Sequence, residues 1–387
     1  MPAKAIALSR SVGELLRDRR KRLGYTLREV EKLTSTHGNL IPFSTLARIE
    51  HGRLDPGLKR LHALLQIYGL PIQAAGDLLD LEAMASTVPV NGDLATLDEQ
   101  GKEAWQSGDV ATALSFYIAM RRRADEHETD RTARHDSMLS FAVMAAKLGK
   151  HHIARQILDD LFLDKPDRPI LLRGFVQAAA TWHALGSGDV ALAHIGGAEA
   201  LLEPHDHRGR GWVLHLRASI QIDRGAFEEA HANLVEAARG FEKAGRPYDR
   251  ALALVAIARL EVERGDAGKA TRAARRAAGF AARNRFARVH ALAAIQEARA
   301  LLLGSDAEPV LKVLTRILAE TVAASDNVIR FYAHFYLSKA YARIGDSVRS
   351  HVELEQARYF VRFVDFASKE ASEVRGHLKD RSIARGT

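Results

Sequence analysis

Residues 42–52 carry the side chains whose types and spacing best fit the reading of DNA. They spell Pro-Phe-Ser-Thr-Leu-Ala-Arg-Ile-Glu-His-Gly. Leu46 and Ile49 are three residues apart, so they share one face of a short helix. Pro42 suits its first turn and Gly52 suits the left-handed position that ends it. The remaining side chains belong to Phe43, Ser44, Thr45, Ala47 and Arg48. Hydroxyl and Arg side chains contact bases in the major groove, so this segment is expected to be a recognition helix.

A helix of this length is not stable alone in water, so neighbouring elements must hold it. Ser11 and Glu14 have the spacing of a capping box, and so have Thr26 and Glu29, which predicts a helix start at each. Five short helices are predicted in all, beginning near Ser11, running from Thr26 through Leu33, and covering residues 42–51, 58–68 and 74–84. The close spacing of the second and third is a helix-turn-helix arrangement. We therefore predict a DNA-binding domain over residues 1–85, followed by a linker over residues 86–93.

The charge of the chain is concentrated at one end. Residues 1–60 contain thirteen Lys and Arg against six Asp and Glu, a formal net charge of +7, whereas the whole chain carries +8. A basic domain attached to a nearly neutral body is typical of a phosphate-binding unit on a module that does not bind nucleic acid. The alternative is a basic segment that only aids solubility.

The amino-acid composition excludes several other classes of protein. The chain has 387 residues, 47% hydrophobic residues, only 10 Pro and no Cys. The absence of Cys excludes disulfides, thiolate catalysis and zinc fingers, and it fits a reducing cytoplasm. No apolar run approaches the length of a membrane span, and the first residues lack the apolar core of a signal peptide. We therefore expect a cytoplasmic protein that does not contact a membrane.

The segments Tyr-Thr-Leu-Arg-Glu-Val and Ser-Thr-Leu-Ala-Arg-Ile-Glu-His-Gly resemble the Cro/Xre class of helix-turn-helix domains, over residues 11–70. The resemblance implies that one set of side chains faces the major groove: Phe43, Ser44, Thr45 and Arg48. Arg48 is then the candidate for a guanine contact. It also implies that Thr26, Arg28 and Arg53 lie near phosphates, and that Glu50 pairs with Arg20.

Two features depart from that class. Glu31 stands where a small residue is usual, and the turn between the two helices is longer by about five residues, 35–39. The insertion could widen the turn, add a contact to the DNA backbone through His37 or Asn39, or alter DNA reading. Phe43 could touch a thymine methyl group or pack against the inserted turn.

Beyond the linker the sequence repeats. A Gly, usually followed by Asp, recurs every 37–41 residues, at Gly108, Gly149, Gly188, Gly225, Gly265, Gly304 and Gly345. Each Gly is expected to end one helix, and the following Asp to cap the next. The units resemble tetratricopeptide repeats, although they are longer than the usual length of about 34 residues. We predict an all-α chain in which a right-handed α-solenoid of about seven helical hairpins covers residues 94–364, with a closing helix near residues 366–380. The repeat domain as a whole spans residues 94–387.

No catalytic constellation is present, so we expect neither an enzyme nor a cofactor. His205, Asp206 and His207 could hold a metal, but a solvated turn is the favoured interpretation. The first helix of each pair should line the inner surface of the solenoid. Candidate ligand-binding residues there are Gln177, Arg217, Gln221, Arg259, Gln296, Arg299, Tyr332 and Tyr336. A cationic surface with Gln and Tyr suits a short peptide.

A Cro/Xre-type domain on a repeat solenoid resembles the cytoplasmic peptide-pheromone receptors of bacteria, which include the Rgg-, PlcR-, PrgX- and AimR-type regulators. The resemblance implies a homodimer that binds a double-stranded DNA operator, and a solenoid that binds a short quorum-sensing peptide or a protein partner. The alternative is a protein-interaction adaptor whose helix-turn-helix domain does not read DNA.

Overall fold

A computed structural model describes residues 3–36, 38–86, 90–126, 130–304, 307–320 and 326–384. Within these ranges the regular structure is entirely helical. The chain divides into two compact units, Met1–Ala85 and Ser86–Thr387, which we call the first unit and the repeat unit. The predicted linker begins at this division, and its residues 87–89 lie outside the described ranges.

Over its described residues, the first unit contains the five expected helices. They are α1 (Ala3–Arg22), α2 (Leu27–Thr36), α3 (Phe43–Glu50), α4 (Gly57–Ile67) and α5 (Ile72–Met84). Their core includes Leu16, Val30, Leu46 and Leu64, each no more than 1% exposed. Each of these residues lies on the buried face of its helix, and for Leu46 the sequence predicted it.

One of the two predicted helix starts in this unit is wrong. Helix α1 begins at Ala3, so Ser11 lies inside it rather than at its start. The residues before Ser11 include Ala and Leu, which are strong helix formers and extend the helix backwards. The second start is confirmed. Thr26 Oγ1 accepts from the N–H of Glu29 (3.2 Å), and the N–H of Thr26 donates to Glu29 Oε2 (2.6 Å).

In the residues that the structure describes, the repeat unit is a series of seven helical hairpins that pack consecutively as an α-solenoid, followed by a closing helix. The hairpins pair α6 (Leu94–Ser107) with α7 (Val110–Glu126), α8 (Arg131–Lys147) with α9 (His151–Leu163), α10 (Arg168–Ala184) with α11 (Gly188–Glu199), α12 (His207–Asp223) with α13 (Phe227–Lys243), α14 (Pro247–Glu263) with α15 (Ala267–Arg283), α16 (Ala287–Leu303) with α17 (Glu308–Ala319), and α18 (Asn327–Arg343) with α19 (Ser347–Phe360). A 3-10 turn (Val361–Phe363) and α20 (Lys369–Ala384) complete it.

The hairpin turns follow the predicted Gly rule with two exceptions. Gly108, Gly265 and Gly345 have the expected positive φ, and the Asp after each caps the next helix. Gly188 is not a turn residue. Gly186 takes the left-handed position with φ 85°, and Gly188 is the first residue of α11. Gly304 ends α16 in an extended conformation.

Small side chains allow the helices to approach closely. The residues that α15 buries are all Ala. Larger side chains gather at the last hairpin, where Phe331, Phe335 and Phe366 join one core cluster. In the part of the chain that the structure describes, no helix is long and apolar enough to cross a membrane.

Candidate functional site

Helix α3 buries one face and exposes the other. Leu46 and Ile49 are each 1% exposed, whereas Ser44 and Arg48 are exposed and Thr45 is half-buried. Gly52 ends the helix with φ 64°, as predicted. The structure therefore exposes most of the polar side chains of the predicted recognition helix on one surface.

Contacts from α1 fix α3 in place. A Cβ atom built on Gly13 would lie 2.3 Å from the carbonyl oxygen of Ile49, so the two backbones are in direct contact. Arg20 donates from Nε and Nη2 to the two carboxylate oxygens of Glu50, at 2.6 and 2.7 Å. Glu50 is only 4% exposed, and its hydrogen bond raises the pKa of Arg20 above the usual value. The Arg20–Glu50 pair implied by the Cro/Xre resemblance is confirmed. The Glu50 carboxylate is therefore already bound by a residue of the first unit.

Phe43 packs on Arg28. The guanidinium carbon of Arg28 lies 5.7 Å from the centre of the Phe43 ring, which is a cation–π distance. Both side chains are exposed, Phe43 by 45%. The contact joins a predicted phosphate-contacting residue on α2 to a predicted base-contacting residue on α3.

The inserted turn is anchored by a buried Thr. Thr34 Oγ1 accepts from the N–H of Ile41 (3.1 Å) and donates to the carbonyl of Glu31 (2.8 Å). Ile41 is fully buried, so the far end of the turn is also held. Asn39 is exposed, and His37 lies outside the described residues. The extra residues are therefore accommodated by extending α2 to Thr36 and fastening the turn at Thr34.

Arg53 and Thr26, the two other residues predicted to contact phosphates, differ in whether their donors are free to do so. Arg53 is exposed after the end of α3. The N–H and hydroxyl of Thr26 are both engaged by the Glu29 carboxylate, and these hydrogen bonds lower the pKa of Glu29. A phosphate at the start of α2 would compete with this carboxylate for the same N–H donor.

The predicted ligand-binding residues of the repeat unit are mostly engaged within the fold. Most bond to a neighbouring side chain: Gln177 to Thr181, Arg217 to Glu199, Gln221 to Asn233, Arg259 to Asp223, and Gln296 to Arg299. Asp223 also lies 2.7 Å from His183 Nε2, so α10, α12 and α14 are linked by side chains one repeat apart. The sequence analysis did not predict these side-chain links between hairpins. Acidic and basic residues separated by one repeat length could have indicated them.

Residues 364–370, which we call the closing segment, run along the hairpin turns. The N–H of Asp365 donates to the carbonyl of Gly149, and that of Ala367 to the carbonyl of Ala184, both at 2.7 Å. A Cβ on Gly149 would lie 2.9 Å from Val364 Cγ1. The closing segment is thus bound by backbone hydrogen bonds, as an extended peptide would be.

The closing segment engages the remaining predicted ligand residues. Tyr332 stacks on Phe366 with ring centres 5.6 Å apart. Tyr336 donates to the carboxylate of Glu370, and Arg299 Nη2 lies 3.5 Å from the same group. Burial alone would raise the pKa of Glu370, but Arg299 and Tyr336 hold it below its usual value. Arg299, Tyr332 and Tyr336 are therefore brought together, around a segment of the same chain.

A cavity of about 340 Å³ lies between the first helices of the hairpins. Trp105, Lys147, Gln177, Arg208 and Trp212 are among its lining residues. Only Gln177 was predicted as a ligand contact. The others lie on α6, α8 and α12, which are first helices of their hairpins, the helices expected to line the inner surface.

Asp206 in the candidate metal motif is the cap of α12, since its Oδ1 accepts from the N–H of Gly209 (2.7 Å). Among the residues described here, no three His, Asp or Glu side chains are grouped to hold a metal. A comparison with curated proteins found none that matches the chain. A family model described as a helix-turn-helix domain matches residues 11–80, which places α3 and its exposed side chains within that domain.

Proposed function

We propose that this protein is a sequence-specific DNA-binding transcriptional regulator that acts in the cytoplasm. The observation that carries the proposal is the surface of α3, where Ser44 and Arg48 are exposed while Leu46 and Ile49 are buried. The helix-turn-helix match over residues 11–80 and the net charge of +7 in residues 1–60 support it. No catalytic activity is part of the proposal.

The exposed side chains have separate roles in this proposal. The fork of Arg48 suits the O6 and N7 atoms of guanine, and Ser44 and Thr45 suit hydrogen bonds to base edges. Arg28 and Arg53 contact phosphates and set the register of α3 on the duplex. The ring of Phe43 packs on Arg28 and, being 45% exposed, remains available to a thymine methyl group.

The repeat unit, in this proposal, forms a homodimer and senses a short peptide or a protein partner. One short helix contacts few base pairs, whereas two copies related by two-fold symmetry read two half-sites. Arg299 and Tyr336 already hold the carboxylate of Glu370 within the chain. The carboxylate of a peptide would take the same place and release the closing segment, and its effect on the dimer is limited to its difference in affinity for the two states.

The test is a selection of bound duplexes from a random-sequence DNA library, using the full chain at two salt concentrations. We expect enrichment of a motif with two-fold symmetry, and affinity that falls steeply with salt because phosphate contacts release counterions. Arg48→Ala should abolish the enrichment. Arg239→Ala removes the same charge from an exposed position on α13 and should leave it intact.

A second function, that of a protein-interaction adaptor, is favoured by one observation. The Glu29 carboxylate occupies the N–H donor at the start of α2, where DNA-binding domains of this kind would contact a phosphate. An adaptor would enrich no motif, and its weak DNA binding would not depend on Arg48. Such a result would contradict the regulator proposal.

A further inference from the structure

The cavity of the repeat unit lies where the solenoid turns back on itself. Helix α6 of the first hairpin contacts α16 of the sixth, and Trp105 on α6 donates from Nε1 to the hydroxyl of Tyr248 on α14 (2.8 Å). The guanidinium of Arg288 on α16 lies 4.8 Å from the Trp105 ring. The volume of about 340 Å³ is within the usual range of small-molecule sites, roughly 300–1,000 Å³.

Aromatic rings and cations share the wall of this cavity. Lys147 Nζ lies 5.3 Å from the ring centres of both Trp105 and Tyr248. The guanidinium of Arg208 lies 4.3 Å from the ring centre of Trp212. These contacts orient the two cations by ring faces, which do not neutralise a positive charge as a carboxylate would.

The charge of the lining is unbalanced. Five lining residues are basic, namely Lys102, Lys147, Arg173, Arg208 and Arg246, and one is acidic, Asp249. Asp249 is already paired with Arg246 at 2.9 Å, Arg173 is paired with Asp136, and Lys102 with Asp98. Within the described part of the chain, no carboxylate lies within ion-pair distance of Lys147 or Arg208.

Two polar atoms of the lining also lack a hydrogen-bond partner among the described residues, Arg208 Nε and His215 Nδ1. Burial lowers the pKa of Lys147 to about 8 and that of His215 to about 4. At neutral pH Lys147 is therefore mostly charged and His215 is neutral, so the site offers two cationic donors beside a neutral imidazole.

We propose that this cavity is a binding site for a small organic anion that carries its charge on a flat or apolar body. Lys147 and Arg208 pair with the anionic group, and the rings of Trp105 and Trp212 pack against the body. Lys147 and Arg208 are partly buried and neither contacts a carboxylate of the described residues, which is unfavourable, and an anion bound beside them reduces that penalty. The site is separate from the closing segment, so the proposal goes beyond DNA binding and peptide sensing.

The test uses 1-anilinonaphthalene-8-sulfonate as the probe, with the neutral N-phenyl-1-naphthylamine as its uncharged counterpart. Titration of the full chain, followed by probe fluorescence and by calorimetry, should give one site for the anion. The anion should bind at least about ten-fold more tightly than the neutral probe. Equal affinity for both probes, or no saturable binding of the anion, would overturn the proposal without recourse to any variant.

Variants then locate the site. Lys147→Met and Arg208→Met should each weaken the anion about ten-fold or more, with little change for the neutral probe. The matched control is Arg155→Met, because Arg155 stacks on Trp182 at 5.1 Å in the same manner but does not line the cavity. Lys147→Arg preserves the charge and should retain most of the affinity. Wild-type affinity in both methionine variants would place the probe elsewhere and refute the site.

Discussion

At the scale of single residues, Glu50 holds the end of α3 against α1 through its pair with Arg20. Its carboxylate is 4% exposed and is held by two nitrogens of Arg20. Glu50→Gln leaves a guanidinium facing a neutral amide, and breaking a pair with such burial costs about 3 kcal/mol. We expect the amides of α3 to exchange with solvent roughly 100-fold faster, measured by hydrogen exchange on peptides of the first unit.

The control for this prediction is Glu29→Gln. Glu29 is an exposed carboxylate in the capping box at the start of α2, and replacing it should destabilise the first unit much less than replacing Glu50. Similar protection of α3 in wild type and Glu50→Gln would mean that the Arg20 pair contributes little to the position of the helix.

A second prediction at this scale concerns acid. His151 is 7% exposed, and burial lowers its pKa to about 4, against an unfolded value near 6.5. Between these values the unfolded chain binds a proton that the folded chain does not, so stability falls as the pH drops below 6.5. From pH 7 to pH 5 the loss from this group is roughly 1–2 kcal/mol. Thermal unfolding of wild type and His151→Gln across this range should show a shallower pH dependence in the variant. Parallel curves would contradict the assignment.

Residue contacts differed in how far the sequence could predict them. The Arg20–Glu50 pair followed from the Cro/Xre resemblance and is present. The packing of Arg28 on Phe43 depends on the angle between α2 and α3, which the residue types do not determine. The partners of Arg299 and Tyr336 could not be predicted either, because Glu370 lies 71 and 34 residues away along the chain.

At the scale of elements, Gly149 and Gly225 form a matched pair. Both end the first helix of a hairpin with nearly equal positive φ, 78° and 76°. A Cβ on Gly225 meets nothing within 4 Å, whereas one on Gly149 meets Val364. Gly225→Ala should cost about 1 kcal/mol from backbone strain alone. Gly149→Ala should cost about 3 kcal/mol, because overpacking against the closing segment is added.

The location of the effect is the sharper measurement. Hydrogen exchange of peptides that cover residues 361–368 should rise in Gly149→Ala and stay at the wild-type level in Gly225→Ala. Equal changes in the two variants would show that the turn at Gly149 does not hold the closing segment.

Element boundaries were predictable where a local rule acts and not where one competes with another. Asp266 and Asp346 cap their helices as the Gly-Asp rule requires. The same rule failed at Gly188, because Gly186 precedes it and takes the left-handed position two residues earlier. The closing segment was missed because it has no periodicity of its own, and its backbone hydrogen bonds go to turns more than 180 residues before it.

At the scale of the whole molecule, the recurrence of Gly predicted the number of hairpins, since each hairpin needs one turn between its helices. The cavity could not be predicted in the same way. It depends on the curvature that brings Trp105 to Tyr248 across 143 residues, and that curvature is the sum of small rotations between repeats.

The proposed dimer makes a prediction about DNA geometry. Two first units held by one pair of repeat units bind half-sites on the same face of the duplex, about one helical turn apart. Adding five base pairs between the half-sites rotates one of them by about half a turn, and the second unit then reaches it only by straining the dimer. We expect the affinity to fall at least about ten-fold, towards that of a single half-site, in mobility-shift titrations.

Adding ten base pairs should restore part of the loss, because the faces realign at a larger separation. Arg48→Ala on the original spacing serves as the reference for lost base contacts. Equal affinity for all three spacings would mean that the two first units bind their half-sites independently. A ligand of the repeat unit could then not control DNA binding by changing the spacing of the two first units.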